Sequence, residues 1–229
     1  MVRTNWYLLQ SGPCAYDYNM ALDEALMECA SEIGAPVLRF YGWTEPAASF
    51  GYSQHYAEIE RATLLRPLVR RPTGGGLVPH DVDWTYSLTF PPEHFWYHFK
   101  ATESYERVHE WICDAFARMK VVTTLSPGTP KALPGQCFIG SEKFDVLWFG
   151  KKIAGAAQRR SRKGLLIQGS IQPPPISLAR MEWQTAMCQS AHEKYEVDWA
   201  PLLVQGHLAE VTEALRTSKY SLNSFNRSR

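Results

Sequence analysis

Three consecutive glycines, Gly74 to Gly76, stand between two arginines and a histidine–aspartate pair. The stretch reads Arg70-Arg71-Pro72-Thr73-Gly74-Gly75-Gly76-Leu77-Val78-Pro79-His80-Asp81. Because glycine has no β-carbon, backbone N–H groups there can approach a ligand closely. Guanidinium and imidazole groups beside such a turn could bind a carboxylate, a phosphate or an acyl carbonyl. A glycine hairpin with a solvated charged rim is the simpler alternative, but the flanking charges favour a binding site.

A second group of residues could support nucleophilic chemistry. Cys137 follows a proline-rich loop predicted over 126–136, and an exposed thiol near a cation can be a thiolate at neutral pH. Lys152 is the candidate cation, and the small residues Ala154, Gly155 and Ala156 leave room beside it for an extended chain. Such a lysine could lower the pKa of the thiol and polarise a thioester carbonyl. The alternatives are an ordinary loop cysteine and a solvated hairpin lysine, and spacing alone does not bring the two together.

The composition is that of a globular protein of 229 residues, with 45% hydrophobic and 21% charged residues. A net charge of +1 gives no indication of a nucleic-acid or membrane-surface partner. No apolar run approaches a membrane span and the N-terminus does not resemble a secretion signal, which predicts a cytoplasmic protein. Five widely spaced cysteines without a Cys-x-x-Cys predict reduced thiols and no metal site.

Hydrophobic periodicity predicts an α+β fold around a mostly antiparallel sheet, in a single domain over residues 1–229. The glycine segment is expected at the turn between two flanking strands, 67–71 and 84–90. The tail after residue 219 is expected to be frayed. The predicted helices cover 20–29, 103–120 and 200–219, and the other predicted strands cover 37–43, 48–52, 143–149, 152–158 and 165–171.

Two motifs, the glycine segment with His80-Asp81 and Gly150-Lys151-Lys152-Ile153-Ala154-Gly155-Ala156-Ala157, carry a family resemblance. They resemble the lipoate-protein ligase A, octanoyltransferase and biotin-protein ligase superfamily. Asn19 to Leu26 is similar to its first helix, and Gly51-Tyr52-Ser53-Gln54 to a short motif after its second strand. The resemblance runs from about Asn5 to Gln172. It implies a single α+β domain with a mixed sheet flanked by helices, like the catalytic core of biotin-protein ligase.

The resemblance also implies a site and its chemistry. An octanoyl or lipoyl chain would lie over the glycine segment and end at the lysine strand. Superfamily ligases adenylate lipoate or biotin with ATP, whereas octanoyltransferases and amidotransferases pass the acyl group through a cysteine thioester. The Cys137-Phe138 pair is similar to that of the cysteine-dependent octanoyltransferases, which makes Cys137 the nucleophile and Lys152 its partner, with no cofactor. The expected substrate-binding residues are Arg71, Thr73, Gly74, Gly75, Gly76, His80, Ala154, Gly155 and Ala156.

The implied donor is octanoyl-acyl carrier protein. The implied acceptor is a lysine of a lipoyl carrier domain, such as the glycine cleavage H protein or a dehydrogenase E2 domain. The basic run 159–163 could dock an acidic carrier protein, or it could be a solvated hairpin tip. An ATP-dependent lipoate-protein ligase, which needs ATP and Mg²⁺, is the main alternative. A non-catalytic lipoyl- or biotinyl-binding module is the second.

Overall fold

A computed structural model describes residues 4–128 and 141–228. In chain order its elements are β1 (Thr4–Cys14), α1 (Tyr16–Glu28), α2 (Ala30–Ile33), β2 (Val37–Trp43), β3 (Ala47–Phe50), α3 (Tyr56–Ala62), β4 (Leu68–Arg70), β5 (Val78–His80), β6 (Trp84–Phe90), α4 (Phe95–His98), α5 (Ala101–Arg118), β7 (Thr124–Leu125), β8 (Val146–Trp148), β9 (Lys151–Ser161), β10 (Gly164–Ile171), α6 (Arg180–Lys194), β11 (Val197–Pro201), α7 (Gly206–Leu215), a π-helical turn (Arg216–Tyr220) and α8 (Asn223–Asn226).

The strands form two sheets. The larger has the order β11-β1-β2-β6-β10-β9-β8-β7, and the smaller has the order β4-β3-β5. In the larger sheet β1 runs parallel to both of its neighbours, and each later pair is antiparallel. The predicted mixed, mostly antiparallel sheet flanked by helices is therefore confirmed.

Helices cover both faces of the larger sheet. Helices α5 and α6 pack on one face over an aromatic core that includes Trp6, Trp111 and Trp183. On the other face α1 lies between the sheet and α7, with Leu22, Ala25 and Leu26 buried. These three residues recur at helical spacing, so the apolar stripe that predicted the helix is the one that packs.

The glycine segment does not connect a pair of hydrogen-bonded strands, contrary to the prediction. Strand β4 pairs in parallel with β3 in the small sheet, whereas β6 lies between β2 and β10 in the large sheet. The segment instead leads from β4 to β5, which pairs with the other edge of β3. Sequence pattern indicates a strand but not the strand with which it pairs. Here β4 and β5 both pair with β3.

The C-terminal residues were predicted in part. The helix expected over 200–219 begins at Gly206 as α7 and continues through the π-helical turn to Tyr220, whereas Pro201 ends β11, and α6 and β11 were not foreseen. The tail is ordered, because the Arg70 side chain donates hydrogen bonds to the carbonyls of Phe225 (3.3 Å) and Asn226 (3.1 Å). The Asn226 side chain in turn accepts from the backbone N–H of Arg70 at 2.9 Å. Arg70 therefore binds the tail to the strand that precedes the glycine segment.

We expect Asn226→Ala to lower the free energy of unfolding by about 1–3 kcal/mol, because it leaves the buried Arg70 N–H without its acceptor. Urea denaturation of the variant measures this. Asn223→Ala, at an exposed position of the same short helix, is the control and should change little. Equal effects of the two substitutions would contradict the anchoring role of Asn226.

Candidate active site

A cavity lies where the two sheets and α1 meet, with about 470 Å³ of empty space, part of which is open to solvent. It is lined by residues from α1, from four strands of the larger sheet, and from the small sheet with its glycine segment. The lining residues are Met20, Tyr41, Trp43, Ser49, Arg71, Val78, His80, Thr85, Lys152, Gly155, Ala156, Ala157, Gln168, Gly169 and Ser170. The mixture of apolar walls and a few polar groups is typical of a ligand pocket.

The structure brings together five of the residues expected to form the site: Arg71, His80, Lys152, Gly155 and Ala156 all line this cavity. Five others do not line it, namely Thr73, Gly74, Gly75, Gly76 and Ala154. Ala154 is fully buried in the core beneath the sheet. Cys137 lies outside the described residues.

The guanidinium of Arg71 fixes the shape of the glycine segment. Its Nη2 donates to the carbonyls of Gly74 (3.0 Å) and Gly76 (2.8 Å), and its Nη1 donates to Ser49 Oγ (2.9 Å). Hydrogen bonds from a charged donor are stronger than neutral ones. The residue is 5% exposed, so Arg71 holds the loop in place from inside the protein while still forming part of the cavity wall.

The Gly51-Tyr52 motif packs directly against the glycine segment. The backbone N–H of Tyr52 donates to the carbonyl of Thr73 at 2.9 Å, which draws the two segments together. A β-carbon on Gly51 would lie 1.9 Å from the carbonyl oxygen of Gly75, so no larger residue fits. Gly75 itself has φ +85°, a conformation that favours glycine.

Thr73 is held from the opposite side. Its hydroxyl donates to Gln168 Oε1 at 2.8 Å, and Gln168 Nε2 donates to Asp23 Oδ2 at 2.7 Å. The carboxylate of Asp23, on α1, therefore reaches the glycine segment through a single side chain of β10.

Lys152 is paired with Asp145, a residue that sequence reasoning missed. Lys152 Nζ lies 2.8 Å from Asp145 Oδ2, and the two side chains are 8% and 0% exposed. The Tyr105 hydroxyl donates to Asp145 Oδ1 at 2.5 Å, and the backbone N–H of Glu142 donates to Oδ2 at 2.6 Å. These donors offset the cost of burying the carboxylate. Asp145 thus supplies the countercharge that allows a lysine ammonium inside the cavity wall.

The groups behind this pair are kept neutral. Burial, together with the neighbouring Asp145, raises the pKa of Tyr105, so its hydroxyl stays a donor. Burial lowers the pKa of His109 to about 3, and the charge of Lys152 acts in the same direction. A neutral phenol and a neutral imidazole therefore lie behind the Lys152–Asp145 pair.

A β-bulge orients Lys152. Val146 of β8 is opposite Ala154 of β9, but the next residue, Leu147, is opposite Lys152, so Ile153 is the extra residue. A bulge bends the strand and redirects side chains. As a result Lys152 lies over Gly155, where a β-carbon would come within 2.9 Å of Lys152 Cε. The lysine side chain thus occupies the space that a side chain at position 155 would need.

His80 is paired with Asp83 and not with its neighbour Asp81. His80 Nδ1 lies 2.9 Å from Asp83 Oδ2, and Nε2 lies 2.6 Å from Ser49 Oγ. The imidazole stacks on Trp43 with ring centroids 4.0 Å apart. Asp81 is exposed and accepts from the backbone N–H of Val82. In the sequence, Asp83 follows two residues after Asp81, and this second aspartate could have indicated the pairing with His80.

The basic run 159–163 does not lie beside the cavity. Arg159 pairs with Glu24 at 3.0 Å, and Arg160 donates to the carbonyls of Tyr97 and Phe99. Arg162 and Lys163 are exposed at the far end of β9, ten residues from Lys152, which is roughly 30 Å along a strand.

Within residues 4–128 and 141–228, one group of potential ligands was found, Cys29, Glu32 and His207, and none of the three lines the cavity. The cavity instead combines an ammonium, an imidazole and an arginine-held loop with the apolar surfaces of Met20, Trp43 and Val78. Such a site can accept an apolar chain and stabilise negative charge on a carbonyl oxygen at its end.

The fold and the comparison with known proteins define the family to which this chain belongs. Residues 15–173 match the lipoyl protein ligase A/B catalytic domain family, and the chain belongs to that family. The octanoyltransferase LipM of Lysinibacillus sphaericus is 36% identical over 183 residues, which cover 73% of this chain and 66% of that protein. The chain thus spans about two thirds of the length of such curated relatives.

Solved structures share the fold. The putative lipoate protein ligase Ta0514 of T. acidophilum superposes with a TM-score of 0.82 at 19% identity, covering 99% of this chain and all of that chain. A bi-partite lipoate protein ligase, described with its E2 lipoyl domain from Thermoplasma acidophilum, gives a TM-score of 0.73 at 18% identity, covering 98% and 96%. None of the helices in the described residues has the length and apolar character needed to cross a membrane.

We expect Gly51→Ala to lower the free energy of unfolding by about 2 kcal/mol or more, because the new methyl group overlaps the Gly75 carbonyl. Thermal or urea denaturation measures the loss. Gly74→Ala is the matched control, since a β-carbon there has nothing within 4 Å, and it should stay within about 0.5 kcal/mol of the wild type. A tolerated Gly51→Ala would show that the two segments do not pack as described.

Proposed function

We propose that this protein is an octanoyltransferase of lipoate biosynthesis. It moves an octanoyl group from acyl carrier protein to a lysine of a lipoyl carrier domain. The relatives named octanoyltransferase LipM, 31–36% identical, support this reaction. The structural observation that carries it is the buried Lys152–Asp145 pair in the wall of a cavity with apolar surfaces. A fixed ammonium at that place suits an acyl carbonyl that becomes negatively charged during transfer.

In the proposed first step the thiolate of Cys137 attacks the thioester of octanoyl-acyl carrier protein. The carbonyl oxygen becomes an oxyanion stabilised by the Lys152 ammonium. The carrier thiol leaves as its C–S bond breaks, and the octanoyl group stays on the enzyme as a thioester. The acyl chain lies against Met20, Trp43 and Val78, with Arg71 and His80 in the same wall.

In the second step the ε-amine of the carrier lysine attacks this thioester, and an amide forms as the enzyme thiolate leaves. Both steps transfer an already activated acyl group, so no ATP and no cofactor is needed. An E2 lipoyl domain or the glycine cleavage H protein is the proposed acceptor. The pairing of the Thermoplasma ligase with its E2 lipoyl domain supports an acceptor of this kind.

The direct test is incubation with octanoyl-acyl carrier protein and an apo lipoyl domain, without ATP. Intact-mass spectrometry should show an octanoylated enzyme and then an octanoylated acceptor. Cys137→Ala should abolish both products, and Lys152→Met should slow acyl-enzyme formation about 100-fold or more by removing the oxyanion partner. Cys14→Ala, at a half-buried cysteine outside the cavity lining, is the control and should retain both products.

Two results would overturn the proposal. Labelling of the acceptor that requires ATP and free lipoate and survives Cys137→Ala would identify a lipoate-protein ligase. Tight binding of the octanoyl group with no transfer by the wild type would identify a non-catalytic binding module.

A further inference from the structure

Four buried side chains form a continuous hydrogen-bonded chain beside Lys152. Arg71 Nη1 donates to Ser49 Oγ at 2.9 Å, Ser49 Oγ lies 2.6 Å from His80 Nε2, and His80 Nδ1 lies 2.9 Å from Asp83 Oδ2. Each of the four residues is at most 8% exposed. Arg71, Ser49 and His80 line the same cavity as Lys152. The chain of contacts therefore connects a buried carboxylate to the place proposed for acyl transfer.

The donors and acceptors fix where the protons lie. The Asp83 carboxylate accepts hydrogen bonds from Thr85 Oγ1 and Ser170 Oγ, both at Oδ2. It is therefore also the acceptor toward His80, which means that His80 Nδ1 carries a proton. Nε2 of the neutral imidazole is then an acceptor for the Ser49 hydroxyl. Arginine only donates, so Ser49 Oγ accepts from Arg71 and keeps one further lone pair. The serine can thus take a proton from a ligand while passing its own to His80.

Lys152 is less suited to accept a proton. Its ammonium is 2.8 Å from a buried carboxylate, which stabilises the charged form that has no lone pair. His80, in contrast, has a carboxylate behind Nδ1 and the face of Trp43 4.0 Å away. Both stabilise an imidazolium once it forms. The cavity therefore holds one group suited to stabilise an oxyanion and a different group suited to accept a proton.

We propose that Ser49, His80 and Asp83 form the proton relay of the amide-forming step, an inference that rests on the proposed function. As the lysine amine of the carrier domain bonds to the acyl carbon, its N–H bond breaks and the proton goes to Ser49 Oγ. The Ser49 hydroxyl proton moves to His80 Nε2, and Asp83 stabilises the resulting imidazolium. The C–S bond of the acyl-enzyme breaks, and the electron pair leaves with the thiolate of Cys137.

The test compares two fates of the same octanoylated enzyme. Transfer to the lysine of an apo lipoyl domain requires removal of a proton from an amine. Exchange onto pantetheine, a small thiol, involves no amine. We expect Ser49→Ala and Asp83→Asn each to slow amide formation about 100-fold, the lower range for general-base catalysis, and to change thiol exchange less than about threefold. Ser190→Ala removes another buried hydroxyl, bonded to Arg118 and absent from the cavity lining, and should change neither rate.

Each outcome decides the matter. A selective loss of amide formation in both variants supports the relay. A parallel loss of both reactions would show that the chain only maintains the shape of the cavity, and unchanged rates would show that another group takes the proton. Asp83→Asn keeps the shape of the side chain, so the test does not depend on Ser49→Ala alone. Failure of the wild type to form an octanoylated enzyme would instead overturn the proposed function.

Discussion

The carboxylate of Asp23 is the contact on which the rest of this structure depends. It is fully buried on α1 and accepts hydrogen bonds from Arg39, Tyr41, Ser87 and Gln168, which lie on β2, β6 and β10. A buried charge without partners would cost several kcal/mol, whereas four donors make the burial tolerable. The helix is therefore held against three strands in one register, and through Gln168 the same carboxylate holds Thr73 at the start of the glycine segment.

The arrangement is repeated at two other buried carboxylates. Asp83 orients His80, and Asp145 provides the countercharge for Lys152, just as Asp23 positions Gln168. In each case a polar group at the cavity is held from behind by an aspartate that does not itself line the cavity. Such support keeps side chains in a single geometry before a ligand arrives. The site thus depends on these supporting aspartates as well as on the motif residues that line the cavity.

Much of the fold and part of the site could be predicted from sequence. Periodicity located α1, α5 and the strands β2, β6 and β10, and residue type identified Arg71, His80 and Lys152. The partners of these residues could not be predicted, because Asp145 and Ser49 are brought to them by the fold. The glycine segment was expected to form the floor of an acyl site. In the structure Gly51 packs against the carbonyl of Gly75, and the carbonyls of Gly74 and Gly76 accept from Arg71.

The central claim is that an acyl chain occupies the cavity between the small sheet and β9 with its carbonyl at Lys152. A crystal structure of the protein with octanoic acid tests this most directly. The account predicts a carboxylate about 3 Å from Lys152 Nζ, with the hydrocarbon chain against Met20, Trp43 and Val78. Octanoate bound elsewhere on the protein, or in the cavity with its carboxylate directed away from Lys152, would contradict the account.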